Sequence, residues 1–194
     1  MELAEKNYQE AITAFHSYRY ELALEKALTA KESGLAENKL FILLASCYRK
    51  LDRFREALFW VKKINSSYVN YCSSDLKAKD GNALYVEGII YSELKEYNKA
   101  VEIFDNALKK EKSNQFYWVG KGWGLYGLDK YEESLSCYKE ALKIYRKLSE
   151  ENSQKYEGDL AHTLLKLGAL CGSLRLYEES LSRSKEAIEI YRKL

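Results

Sequence analysis

Residues 131–148 read YEESLSCYKEALKIYRKL, and residues 177–194 read YEESLSRSKEAIEIYRKL. Only four of the eighteen aligned positions differ, so the chain contains a duplication. Older copies lie upstream. Residues 97–108, YNKAVEIFDNAL, form a third, and Phe54-Arg55-Glu56-Ala57-Leu58 and Tyr20-Glu21-Leu22-Ala23-Leu24 open two more. The leading aromatics Tyr20, Phe54, Tyr97, Tyr131 and Tyr177 are separated by 34, 43, 34 and 46 residues. A base period of 34 with insertions of 9 and 12 accounts for all four intervals.

Each copy pairs two helical patterns through small residues. The first pattern centres on Ala11, Ala45, Gly88, Gly122 or Gly168, and the second carries Ala23, Ala57, Ala100, Ser134 or Ser180. Where two helices cross closely, small residues let the backbones approach. The chain has no proline, which removes the commonest helix breaker and favours an all-helical fold.

The period, the small residues, Trp118-x-x-Lys121-Gly122 and Ala100-x-x-x-Phe104 together resemble the tetratricopeptide repeat (TPR). The resemblance implies an all-α, right-handed superhelical solenoid of antiparallel helix pairs over residues 1–194. Its five repeats fall at about 4–37, 38–71, 81–114, 115–148 and 161–194. The last two are similar to a long-repeat variety, with Tyr-Arg-Lys-Leu ending a helix. The sequence departs from the pattern in places. No proline closes a repeat, the Trp slot holds Asn7, Phe41, Leu84, Trp118 and Leu164, and the Phe slot is Ala27 in the first copy and Ser184 in the last. Helices are expected near 4–17, 20–32, 38–51 and 54–65, with Ser33-Gly34 as a left-handed stop. Insertion 72–80 reads as a short break before a lengthened helix, and insertion 149–160 as an extension of the helices on either side.

Composition narrows the function. A net charge of +2, from 31 basic and 29 acidic residues, argues against nucleic-acid or membrane-surface binding. Residues 1–6 carry no secretion signal, and no apolar run approaches membrane-spanning length. Cys47, Cys72, Cys137 and Cys171 form no Cys-x-x-Cys pair and read as core fillers in a reducing, cytoplasmic setting. His16 and His162 lie in the first and last copies, too far apart in the array to share a metal. No phosphate loop, carboxylate pair or nucleophile motif is present, so neither a cofactor, a metal nor enzymatic activity is expected.

Residues 116–126, FYWVGKGWGLY, carry two apolar stripes at helical spacing. Trp118, Gly122 and Leu125 form the packing stripe, and Val119, Trp123 and Tyr126 the second. In the repeat that the family resemblance implies, first helices line a concave groove. The equivalent groove positions are Tyr8, Ile12 and Phe15, then Ile42, Ser46 and Arg49. Tyr85, Ile89 and Ser92 follow, and Leu165, Ala169 and Gly172 close the set. No paired Lys and Asn or Arg groups occupy the places where relatives clamp a peptide carboxylate. The groove therefore suits an apolar or amphipathic protein segment. Gly120, Gly124 and Gly127 leave two readings open, close approach of a ligand backbone or local plasticity. The chain stops at Leu194 with no polar capping helix, so the expectation is either a longer array or self-association through the C-terminal end. The leading function is thus a non-catalytic interaction scaffold. A self-assembling tile and a peptide-sensing domain of a longer chain are the alternatives.

Overall fold

The five aromatics that mark the period each begin a helix. The computed structural model describes residues 2–64 and 82–194. Among them lie ten α-helices and no strand. They are α1 Glu2–His16, α2 Tyr20–Glu32, α3 Asn38–Lys50, α4 Phe54–Val61, α5 Ala83–Glu93, α6 Tyr97–Lys110, α7 Gln115–Gly127, α8 Tyr131–Glu151, α9 Ser153–Ser173 and α10 Tyr177–Tyr191. Two compact units divide the chain, Met1–Leu94 and Lys95–Leu194. Insertion 72–80 lies outside the described residues.

The period recurs in the backbone. Tyr18, Asp52, Lys95, Asp129 and Arg175 are the non-glycine residues with positive φ among those described, at 57–60°. Each stands two residues before a leading aromatic. The turns close as a six-to-one helix cap: Arg19 N–H donates to the Ala14 carbonyl at 3.0 Å, Arg53 to Tyr48 at 2.9 Å, Lys130 to Leu125 at 3.0 Å and Leu176 to Cys171 at 2.8 Å. A left-handed residue reverses the chain while satisfying the last helical carbonyls, which explains how turns this short join antiparallel helices. Gly34, at φ 99°, closes α2 the same way, with Leu35 N–H donating to the Ala30 carbonyl at 3.0 Å.

In the first unit α1 packs on α2, α2 on α3, α3 on α4, and α5 against α4 and α3. The small residues Ala11, Ala23, Ala45 and Ala57 are fully buried at these contacts, as close helix crossing requires. Leu40, Leu43, Leu44 and Ile90 fill the interior around them. Helix α4 ends at Val61, a turn short of the expected 65. The Asn82 side chain caps α5 by accepting from Tyr85 N–H at 2.9 Å.

In the second unit α7 lies between α6 and α8 and uses a different face for each. Gly120, Gly124 and Gly127 face α6, where Phe104, Val101 and Tyr97 fill the space their missing side chains leave. Gly122 faces α8, where an added methyl would lie 3.2 Å from the Tyr138 ring, and Ser134 Oγ donates to the Gly122 carbonyl at 2.7 Å. Three glycines cost the helix about 1 kcal/mol each relative to alanine. Seating Phe104 out of water returns about 1.5–3 kcal/mol, and the half-buried Val101 and Tyr97 add to it. The glycines are thus the sockets of a neighbouring helix, and neither of the two earlier readings is needed. Insertion 149–160 is helical as expected. Helix α8 runs on to Glu151, and Asn152 starts α9 by accepting from Lys155 N–H at 3.1 Å. In α9, Gly168 lies against Ser184 Oγ and the Ser180 carbonyl of α10.

Candidate binding surface

With two faces of α7 taken by α6 and α8, the third face carries Val119, Trp123 and Tyr126. Val119 is buried, Trp123 half-buried and Tyr126 exposed. Helix α9 contributes Leu165 and Ala169, both exposed. The two helices meet through side chains of this face. Lys166 Nζ stands 5.0 Å from the Trp123 ring centroid, a cation over an indole face, and the Tyr126 and Ser173 hydroxyls are 3.4 Å apart. The Tyr126 ring also lies 5.5 Å from Tyr131, which holds it at the head of α8. The result is an aromatic and aliphatic patch with one cation on its edge.

Lys166 and Ser173 were not legible as site residues. They lie on the flanks of the α9 stripe, and only the approach of α9 to α7 gives them a role. The packing stripe behaves differently. Trp118 Nε1 donates to the Lys112 carbonyl at 2.8 Å and fastens the α6–α7 connection. Lys121 reaches Asp105 of α6 at 2.6 Å. Burial works against the Lys121 charge, but the hydrogen bond and charge of Asp105 outweigh it and hold its pKa above the ordinary lysine value.

In the first unit the equivalent positions are largely interior. Tyr8, Ile12, Phe15, Ile42, Ser46, Ile89 and Ser92 are buried, whereas Arg49 and Tyr85 are half-buried. Lys39 of α3 covers the Tyr8 ring at 4.8 Å and pairs with Glu5 of α1 at 3.0 Å. Phe15 packs edge-on against Tyr20 at 5.4 Å. Most groove positions are thus interior in the first unit, whereas in the second Tyr126, Leu165 and Ala169 are exposed and Val119 is buried.

The recess between the last two second helices is mainly polar. A recess of about 400 Å³ between α8 and α10 has Leu142 and Leu167 among its walls and is ringed by Lys139, Lys143, Arg146 and Arg183. Glu186 of α10 holds Arg146 at 2.7 Å and Arg183 at 3.5 Å, so the recess is laced by ion pairs between successive second helices. Among the described residues no cluster of His, Cys, Asp and Glu could hold a metal, and both histidines are exposed. Cys47, Cys137 and Cys171 are buried. Burial pushes the Cys137 thiol up to about 11, so it stays protonated and poorly nucleophilic. Among the described residues no helix is long and apolar enough to cross a membrane.

Stacked antiparallel helix pairs joined by tight turns, with an aromatic patch on neighbouring first helices, define an all-α helical-repeat protein. Two stretches, residues 81–112 and 122–154, match the tetratricopeptide repeat family. A TPR repeat-containing protein of Methanocaldococcus jannaschii is 44% identical over 48 residues, which is 25% of this chain and 8% of that protein. The chain therefore matches only a small part of that curated relative. The thermophilic TPR protein TTC0263 of Thermus thermophilus has a similar structure, with a TM-score of 0.77 and 15% identity over 98% of this chain and 92% of that one. MamA of Desulfovibrio magneticus superposes with a TM-score of 0.66 and 12% identity over 100% of this chain and 97% of that one. Tetratricopeptide repeats are thus present at residues 81–112 and 122–154, and the fold is all-α, built of helix pairs like those of TPR proteins.

Proposed function

We propose that this chain is a protein-interaction scaffold that grips an apolar or amphipathic segment of a protein partner on its first helices. The observation that carries the reading is the patch of Trp123, Tyr126 and Leu165, which keeps surface on two adjacent first helices with Lys166 against the indole. A soluble surface rarely leaves aromatic and aliphatic side chains grouped in this way without a use, and tryptophan and tyrosine are favoured anchors. Burying three such side chains at about 1.5–3 kcal/mol each supplies about 4.5–9 kcal/mol before association costs, enough to anchor a weak contact to which the rest of the segment adds. In this reading the protein performs no chemistry, residues 1–194 act as one array of five copies, and widely spaced cysteines with no Cys-x-x-Cys pair suit a cytoplasmic setting.

The test is selection of peptides from a displayed random library on the purified protein. Enriched peptides are expected to carry apolar residues at extended or helical spacing and to shift the tryptophan fluorescence on binding. Trp123→Ala with Tyr126→Ala should weaken their binding by about 2 kcal/mol or more while leaving the circular dichroism unchanged. Equal binding by the double variant would remove the patch as the binding surface.

A further inference from the structure

We propose that the recess between α8 and α10 docks an acidic segment of a partner protein, on the second helices and apart from the α7–α9 patch. Lys139, Lys143, Arg146 and Lys147 of α8 line it together with Arg183 of α10, and its apolar part is Leu142 and Leu167. Two carboxylates of α10 answer some of this charge. Glu179 reaches Lys139 at 3.7 Å and Arg183 at 3.3 Å, and Glu186 reaches Arg146 at 2.7 Å and Arg183 at 3.5 Å. Glu150 also lines the recess. Among the described residues Lys143 and Lys147 form no ion pair, and both are exposed. Arg183 Nε is buried and makes no hydrogen bond. The cations of the recess therefore outnumber its carboxylates, and two of them face solvent unpaired.

The repeat supplies an internal control. At the equivalent places around α6, α7 and α8, Asp105 stands for Lys139, Ser113 for Lys147, Cys137 for Arg183 and Lys121 for Leu167. There Asp105 and Lys121 neutralise each other at 2.6 Å. Together the four exchanges make the α8–α10 recess three charges more positive than its counterpart. Lys109, the counterpart of Lys143, is exposed although α9 and α10 follow it, so this side of the second helices meets solvent inside the array and not only at its last copy. Carboxylates are the anions that the walls accept, because the Glu186 carboxylate already lies between Arg146 and Arg183. Lys143 and Lys147 stand one turn apart, about 6 Å along the helix. Alternate side chains of an extended segment are about 6.7 Å apart, which lets two acidic residues meet both lysines. The apolar base of Leu142 and Leu167 screens these charges less than open water does. A chain of phosphates would press its denser charge against Glu150, Glu179 and Glu186, and both guanidinium forks are already engaged by carboxylates.

Titration of the nitrogen-15-labelled full chain with the peptide Ser-Glu-Ser-Glu-Ser-Glu-Ser, blocked at both ends, tests this by amide chemical shift. Saturable shifts confined to α8 and α10 around the recess are expected, with an affinity that falls as salt is added. Lys143→Glu with Lys147→Glu should weaken binding about tenfold or more, with a melting curve like that of wild type because both positions are exposed. Lys109→Glu with Lys110→Glu makes the same change in net charge on α6 and should alter binding by less than about twofold. Trp123→Ala with Tyr126→Ala should leave it intact, which separates this proposal from the binding role of the α7–α9 patch. The proposal is overturned by a chain that shows no saturable shifts or shows them elsewhere. Binding that survives the Lys143 and Lys147 changes, or is lost equally with those at Lys109 and Lys110, overturns it too. So does equal binding of the glutamine counterpart of the peptide. Displacement of the peptide by tripolyphosphate at a lower concentration than the peptide itself requires would assign the recess to a phosphate-bearing ligand instead.

Discussion

Gly120 and Gly158 are both helical glycines, yet what surrounds them gives them opposite roles. At Gly120 an added methyl would overlap the Phe104 ring, which is itself fully buried and cannot retreat. At Gly158 it would meet only Leu194 Cδ1, at 3.9 Å. Helix propensity alone favours alanine at both by about 1 kcal/mol. Overpacking a filled core costs about 1–3 kcal/mol and outweighs that gain at Gly120. Urea denaturation of the two variants should therefore show Gly120→Ala destabilised, by up to about 2 kcal/mol, and Gly158→Ala stabilised by about 0.5–1 kcal/mol. Two shifts of the same sign would mean that α6 does not seat on α7 as described.

At the scale of the element, the repeat is kept by turns and crossings more than by the helices themselves. The left-handed residue stands at the same place in five turns whether it is Tyr18, Asp52, Lys95, Asp129 or Arg175, so the position and not the side chain is what recurs. One contact between elements has a pH signature. Burial lifts the Glu87 carboxyl of α5 above its ordinary value of 4.5, and the positive charge of Lys62 beside α4 offsets only part of that. A carboxyl that holds its proton more tightly in the folded chain contributes stability below its unfolded pKa and loses it as pH rises through the folded value. Glu87→Gln, uncharged at every pH, should therefore melt higher than wild type near neutrality, with the difference closing in acid. A difference independent of pH would show that the carboxyl is well solvated.

At the scale of the molecule, the second unit carries its own interior. Phe104, Tyr117, Leu125, Leu142, Tyr145, Leu164 and Leu167 are buried and all belong to Lys95–Leu194. A unit of about 100 residues is large enough to fold on its own core. Residues 95–194 expressed alone should give a helical circular dichroism spectrum and a single cooperative melt. A broad, non-cooperative melt would show that the second unit depends on residues before Lys95.

The sequence by itself determined the period, the helix pairs and the resemblance to tetratricopeptide repeats. Those follow from local chemistry: an aromatic at each second-helix start, small residues at each crossing, and the helical character of 149–160. It also marked Val119, Trp123 and Tyr126 as one stripe, because spacing along a helix fixes which residues share a face. Only the tertiary structure decided which members of such a stripe keep surface. Ile12 and Phe15 occupy the same register as Trp123 and Tyr126 yet are buried, because burial depends on what a neighbouring helix brings to that place. The same holds for Gly120, Gly124 and Gly127, whose purpose lies in the side chains of α6, and for Lys166, which becomes part of the patch only when α9 approaches α7. Periodicity states the angle at which a side chain leaves its helix, and packing between helices decides whether that angle meets water or another side chain.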